Sequence, residues 1–386
     1  MIKKIGISVG LTLFGITLAL LLIEIGMRVF FEALPPGLQG TIQNVQRYPW
    51  SPEKLIPEMP YIIDNRFQAR LPTGLKNYPI HWGDARFQVD TISAWEGHPI
   101  GLRSTPPRWP LDILAFGDSF TFCWTAFQDC YVTQVATRTN QTFFNAALSG
   151  TGSAAQYNLM SELVEPMKPR IILWQWFNND LTDNYDLARI RGEIGELPTG
   201  VFGDPPPPQT AVTRISTIAT ILQSNVYQAR RTPKPPLYAN VTANGRTLAI
   251  HTANYPFSSE LIYPNNQYGW ERDQAARKDA VALAERTGSK LLILLIPAKE
   301  EAYADQLTAH LSADYIARVG ESRLKLIASC EANRWICLDL LPDLRKAVNA
   351  GGTIYYQYDG HLDAMGNKVV AEAVEAKLKS LGWLTR

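Results

Sequence analysis

From Leu111 onward, short apolar runs alternate with helical patterns, and this alternation leaves few folds open. The runs Leu111–Phe116, Thr142–Ala146, Arg170–Trp176, Lys290–Ile296 and Trp335–Leu340 have strand length. Helical patterns fall near 126–139, 153–166, 271–287, 313–330 and 364–381. Strands without a polar face need cover on both sides, so the pattern predicts a parallel sheet between two helical layers. Right-handed crossovers make it a doubly wound α/β domain, three-layer αβα, with about five strands between residues 106 and 386.

One long segment, about 182–268, interrupts the series as an insertion. It carries Pro205–Pro208 and a second cluster at Pro233, Pro235 and Pro236, which read as stiff connectors. Between them, Val212, Ile215, Ala219, Leu222 and Val226 share one helical face. Two readings of that face stand side by side: a small packed excursion, or a lid or membrane-resting helix. Residues 33–105 are rich in Pro and aromatics without a sustained helical period. They read as a linker followed by short strands and turns that pack on the main domain.

At the N-terminus, Lys3 and Lys4 precede an uncharged, mostly apolar run, Ile5–Ile23, and Glu24 and Arg28 follow it. About 20 residues of helix cross a bilayer core, so residues 1–32 are expected to form a signal-anchor transmembrane helix. No small-residue cleavage site is evident and no Cys follows to accept a lipid. The two lysines favour a cytoplasmic N-terminus and an extracytoplasmic, periplasmic remainder. Gly6 and Gly10 form a GxxxG pair, either a contact for a partner membrane helix or a coincidence. The net charge of +1 supplies no field to hold nucleic acid. Cys123 and Cys130 are seven residues apart, as are Cys330 and Cys337. Four Cys allow three pairings; two local disulfides suit an oxidising compartment, and buried free thiols are the alternative. No CxxC occurs and no His lies at zinc-ligand spacing from either pair, so no metal is expected.

The first strand ends directly in Gly117-Asp118-Ser119-Phe120-Thr121. Sites in parallel α/β sheets form where strand C-termini lead into helices. Ser119 is there either a helix cap or a nucleophile in need of a base. Asp359-Gly360-His361 precedes the last helical pattern, and a carboxylate two residues from an imidazole can fix its tautomer. His81, His98, His251 and His310 lie in less suggestive settings and read as surface or structural. Asn145-Ala146-Ala147-Leu148-Ser149-Gly150 follows the second strand and Asn178-Asn179-Asp180 the third. Backbone N–H groups and an Asn amide are suitable donors to a tetrahedral oxyanion. Trp124, Trp174 and Trp176 either wall a pocket or pack the core.

The order GDSFT, NAALSG, FNND, DGH resembles the SGNH (GDSL-type) hydrolase superfamily, membrane-anchored branch, from about Ile113 to the C-terminus without the insertion. The softer features Ile296-Pro297-Ala298-Lys299-Glu300 and Gly366 also resemble anchored members. The resemblance implies a flavodoxin-like sheet, no metal or cofactor, and an acyl-ester substrate. It implies Ser119 as nucleophile, His361 and Asp359 completing a triad, and Ser119, Gly150 and Asn179 as the oxyanion hole. Asp118 is assigned to holding the turn. The chain departs from the pattern at Phe177, where relatives carry Gly, in the DxH spacing where many have DxxH, and at Cys123, often Gly. The expected function is a membrane-anchored serine esterase. The alternatives are an O-acyltransferase acting on a cell-envelope glycan and a degenerate assembly subunit of a membrane complex.

Overall fold

Each of the five apolar runs becomes a strand of one parallel sheet. The computed structural model describes residues 2–30, 33–34, 61–82, 84–195, 216–219, 221–222, 238–252 and 259–384. Helix α1 (Ile2–Val29) comes first. Two antiparallel hairpins follow: β1 (Ile62–Asp64) with β2 (Gln68–Arg70), and β3 (Tyr78–Trp82) with β4 (Ala85–Val89). The α/β series then runs β5 (Ile113–Phe116), α2 (Ser119–Phe122), α3 (Tyr131–Thr139), β6 (Phe143–Asn145), α4 (Ser153–Met167), β7 (Ile171–Trp176) and α5 (Asp180–Ile190). A third hairpin, β8 (Tyr238–Ala243) with β9 (Arg246–His251), precedes α6 (Pro264–Thr287) and β10 (Lys290–Leu295). The chain continues through α7 (Lys299–Ala302), α8 (Ala313–Val319), α9 (Glu321–Asn333), β11 (Cys337–Asp339), α10 (Leu341–Asn349) and α11 (Ala364–Ser380).

The strand order is β6-β5-β7-β10-β11. The sheet therefore grows one way from β5 to β6 and the other way from β5 to β7. That reversal makes a topological switch point at the C-terminal ends of β5 and β7, where this architecture opens a crevice. Successive residues of a strand point to opposite faces, and the core divides accordingly. Ile113 and Ala115 of β5 with Ile171 and Leu173 of β7 meet Val132 and Val135 of α3 and Val370 and Val374 of α11. Leu114, Phe116, Ile172 and Trp174 meet Leu159 and Leu163 of α4 and Ala280 and Leu283 of α6 on the other face.

Four findings refine the sequence reading. The helix expected over 313–330 is two helices, α8 and α9, broken at Gly320. Helix α10 was not expected at all. Helix α5 lies in the first part of the segment read as an insertion, hidden by its polar sequence DLTDNYDLARI. It is held by buried polar chemistry: Arg277 of α6 donates to Asp273 at 2.9 and 2.8 Å and stands 3.9 Å from Asp180. The hairpin β8–β9 contributes Val241, Ala243, Leu248 and Ile250 to the first core, so this part of the segment is folded onto the sheet.

By its contacts the chain divides into two units, Met1–Ser51 with Gly203–Pro235, and Pro52–Phe202 with Pro236–Arg386. In the first unit, Gly10–Val29 of α1 is long and apolar enough to cross a membrane, by length and composition. Glu24 of that helix accepts hydrogen bonds from Ser216 Oγ, Thr217 N and Ile218 N. Of the apolar face read between the Pro clusters, Ala219 lies in a helical turn and Leu222 is exposed, whereas Val212, Ile215 and Val226 lie outside the described residues. The cysteines pair locally, Cys123 with Cys130 and Cys330 with Cys337.

Candidate active site

The turn that carries Ser119 is built by its neighbours. Gly117 sits at φ +156°, and a Cβ there would lie 2.4 Å from both Gln175 Oε1 and Thr121 Oγ1, so only glycine fits. Asp118 caps α2, its carboxylate accepting from Phe120 N at 2.8 Å, which is the turn-holding role read from sequence. From behind, Gln175 of β7 accepts from Asp118 N at 3.1 Å and from Thr121 Oγ1 at 3.0 Å. Helix α2 is a single turn, closed by Cys123 N donating to Ser119 O at 2.9 Å. Ser119 is 7 % exposed, and among the described residues its Oγ makes no hydrogen bond.

Burial has a measurable consequence at Asp118. It pushes the carboxyl up from 3.8 to about 6, against the Phe120 N–H and the nearby His361 charge. An acid raised by folding makes the folded state hold the extra proton, so stability falls as pH climbs from 3.8 to about 6. Asn at this position keeps an oxygen for Phe120 N–H and does not ionise. Asp118→Asn is expected to leave stability at pH 4 unchanged and raise it at pH 8 by up to about 3 kcal/mol, read by urea unfolding at both pH values.

The loop after β6 is fastened to this turn. Asn145 Nδ2 donates to Thr121 O at 2.7 Å, while its Oδ1 accepts from Ala147 N at 3.0 Å. Leu148 N donates to Gly117 O at 3.0 Å. Gly150 follows at φ +73°, exposed, a left-handed conformation that favours glycine. After β7, Phe177 packs on Phe120 with ring centroids 4.5 Å apart. Asn179 sits at the N-cap position of α5, its Nδ2 donating to Asp183 Oδ2 at 3.0 Å.

His361 arrives from the loop before α11. Both its backbone N, at 2.8 Å, and its Nδ1, at 2.6 Å, donate to the same oxygen of Asp359. With Nδ1 so engaged, Nε2 is left to accept a proton. Burial pushes the Asp359 carboxyl up, but the His361 charge and hydrogen bonds, with Lys299 behind, outweigh it and hold the group below its ordinary range. The Lys299 ammonium donates to three carbonyls of this loop, Tyr356, Gln357 and Asp359, at 2.6, 2.9 and 3.2 Å. The imidazole stacks flat on Trp124, centroids 4.4 Å apart and planes 4° from parallel, and meets Phe120 at 5.1 Å.

Ser119, Gly150 and Asn179 follow β5, β6 and β7, and His361, paired with Asp359, packs on Phe120, beside Ser119 in the chain, and on Trp124. No hydrogen bond joins Ser119 to His361; such bonds are often long before substrate arrives. Of the three tryptophans, Trp174 and Trp176 are core. Trp124 belongs to the site, its Nε1 donating to Ser149 Oγ at 3.2 Å. Sequence reasoning missed Gln175, the one polar residue of a wholly buried strand, and that anomaly was its signal. It also missed Arg103, whose buried guanidinium donates to the carbonyls of Phe122, Cys123 and Thr125 and so holds the loop carrying Trp124. His251 instead pairs with Glu300 at 2.8 Å. Among the described residues no group of three or more His, Cys, Asp or Glu is arranged to hold a metal ion.

No curated protein sequence matches this chain. Among solved structures it is similar to a protein assigned to the G-D-S-L lipolytic family of Desulfitobacterium hafniense, with 12 % identity, TM-score 0.39, and 69 % of this chain and 99 % of that one covered. It is similar to the acetyl xylan esterase AlAXEase, with 11 % identity, TM-score 0.38, and 69 % and 98 % covered. A catalytic mutant of the acetylxylan esterase Axe2 from Geobacillus stearothermophilus shows 12 % identity, TM-score 0.37, and 72 % and 97 % covered. Residues 257–385, which include Asp359 and His361 but not Ser119, match the family model described as SGNH hydrolase-like domain, acetyltransferase AlgX. Over its C-terminal third the chain is therefore similar to the SGNH hydrolase-like domain of the acetyltransferase AlgX family.

Proposed function

We propose that the protein is a membrane-anchored, extracytoplasmic serine esterase in which Ser119 attacks an acyl ester. The observation that carries this reading is the Asp359–His361 pair, with Nδ1 committed to the carboxylate and the ring held against α2 by Trp124 and Phe120. His361 Nε2 takes the Ser119 proton as Oγ adds to the carbonyl carbon. The N–H groups of Ser119 and Gly150 and the Asn179 amide receive the developing oxyanion, each such donor being worth about 3–4 kcal/mol. The tetrahedral intermediate collapses, His361 protonates the departing alcohol, and the acyl group stays on Ser119. Water then releases it by the same proton path reversed.

A second reading is favoured by the match to an acetyltransferase family. In it a sugar hydroxyl of a cell-envelope glycan replaces water as the acyl acceptor, and water is kept out long enough for the sugar to win. The anchor, with Gly6 and Gly10 in its cytoplasmic half, would bring a membrane partner that supplies the acyl group.

The reading is tested on the full-length chain in detergent with a fluorophosphonate probe and peptide mass spectrometry. An adduct on Ser119 that disappears in His361→Ala supports it; folded protein without an adduct overturns it. Product analysis of an acyl ester with and without glycan then separates free acid, the esterase outcome, from acylated glycan, the transferase outcome.

A further inference from the structure

The N-terminal hairpin β1–β2 reaches the site through one side chain. Gln68, the first residue of β2, is buried and sits at φ +64°, a left-handed conformation that is unfavourable for a non-glycine residue. Such a conformation persists where the surroundings fix it, and here two hydrogen bonds do. Gln68 Oε1 accepts from Gly152 N at 3.2 Å, in the loop that carries Gly150. Gln68 Nε2 donates to Asp183 Oδ1 at 3.1 Å, in the helix that Asn179 precedes as N-cap residue. The other Asp183 oxygen accepts from Asn179 Nδ2 at 3.0 Å. One amide therefore ties together the loops after β6 and β7.

The consequence falls on the Asn179 amide. Its Oδ1 is buried without a partner among the described residues, so Asp183 alone fixes the plane of the group. Nδ2 carries two hydrogens, and with one given to Asp183 the other has a set direction. Gly152 holds the opposite side, since a Cβ there would lie 2.6 Å from Asp180 O and 2.5 Å from Asn184 Oδ1.

We propose that Gln68 is a positioning residue for the oxyanion donors, setting the Asn179 amide through Asp183 and fixing it relative to the Gly150 loop through Gly152. This rests on the esterase or acyltransferase reading of the same site. It gives the hairpin a part in catalysis.

The test measures the rate of fluorophosphonate labelling at Ser119 in the full-length chain for wild type, Ser119→Ala, Gln68→Met, Asn179→Ala and the double variant Gln68→Met/Asn179→Ala. Met keeps the length of Gln and loses both hydrogen bonds. Asn179→Ala is expected to slow labelling about 100-fold and Gln68→Met about 10-fold. In the Asn179→Ala background, Gln68→Met should slow it by no more than about threefold, because the amide it orients is gone. A full 10-fold effect in both backgrounds marks a merely structural residue and overturns the proposal, as does a wild-type rate in Gln68→Met. Should Gln68→Met fail to fold, Gln68→Glu serves in the same comparison: it keeps the acceptor for Gly152 N–H and loses the amide to Asp183. Wild type that takes no label, or label that persists in Ser119→Ala, overturns the underlying reading instead, and this proposal with it.

Discussion

Ser119→Ala is expected to lower turnover of an acyl ester by about 10^6-fold, to the residual rate that binding and oxyanion donors alone support. The substitution removes the atom that bonds to the acyl carbon, so no rearrangement of the remaining groups restores the covalent step. It should hardly change the fold. Ser119 Oγ makes no hydrogen bond among the described residues, and the backbone of α2 is held by Asp118, Gln175 and Cys123. Urea unfolding of the variant within about 0.5 kcal/mol of wild type, alongside lost turnover, is the expected pair of results. Turnover that survives the substitution would move the chemistry off this serine.

The parts of the molecule that were legible in the sequence share a physical property: they follow from local pattern. Strands covered by helical layers on both faces are mostly apolar, so all five were readable as runs. The turn residues at Gly117 and Gly150 announced themselves because left-handed or crowded backbone selects glycine. Parts fixed by distant polar contacts were not legible. Helix α5 has a polar sequence and is secured by Arg277, nearly a hundred residues later in the chain. Gln68 reaches Asp183 across a separation of 115 residues, and nothing around it in the sequence points there. Trp124 gives the clearest case. The sequence left it open between a pocket wall and core packing, because its stacking on His361 depends on two loops meeting.

The shared oxygen of Asp359 leads to the second large effect. In Asp359→Ala, His361 loses the acceptor for both its backbone N and its Nδ1, together with the charge that stabilises the imidazolium formed as Ser119 attacks. Turnover should fall about 10^4-fold, as for removal of the acidic member of comparable triads. Asp359→Asn separates the two losses. The backbone N–H of His361 needs an oxygen at the 359 side chain, which turns the amide so that its carbonyl also faces Nδ1. The ring then keeps its tautomer and orientation, and only the negative charge is gone. The Asn variant should therefore retain at least about tenfold more activity than the Ala variant, since orientation survives in one and not in the other. Steady-state rates of the two variants on one ester check this. Equal rates would mean that the charge, rather than the fixed geometry, is the larger contribution of Asp359. Lys299 sets the limit on how far the loop can relax in either variant, because its three bonds go to backbone carbonyls that neither substitution touches.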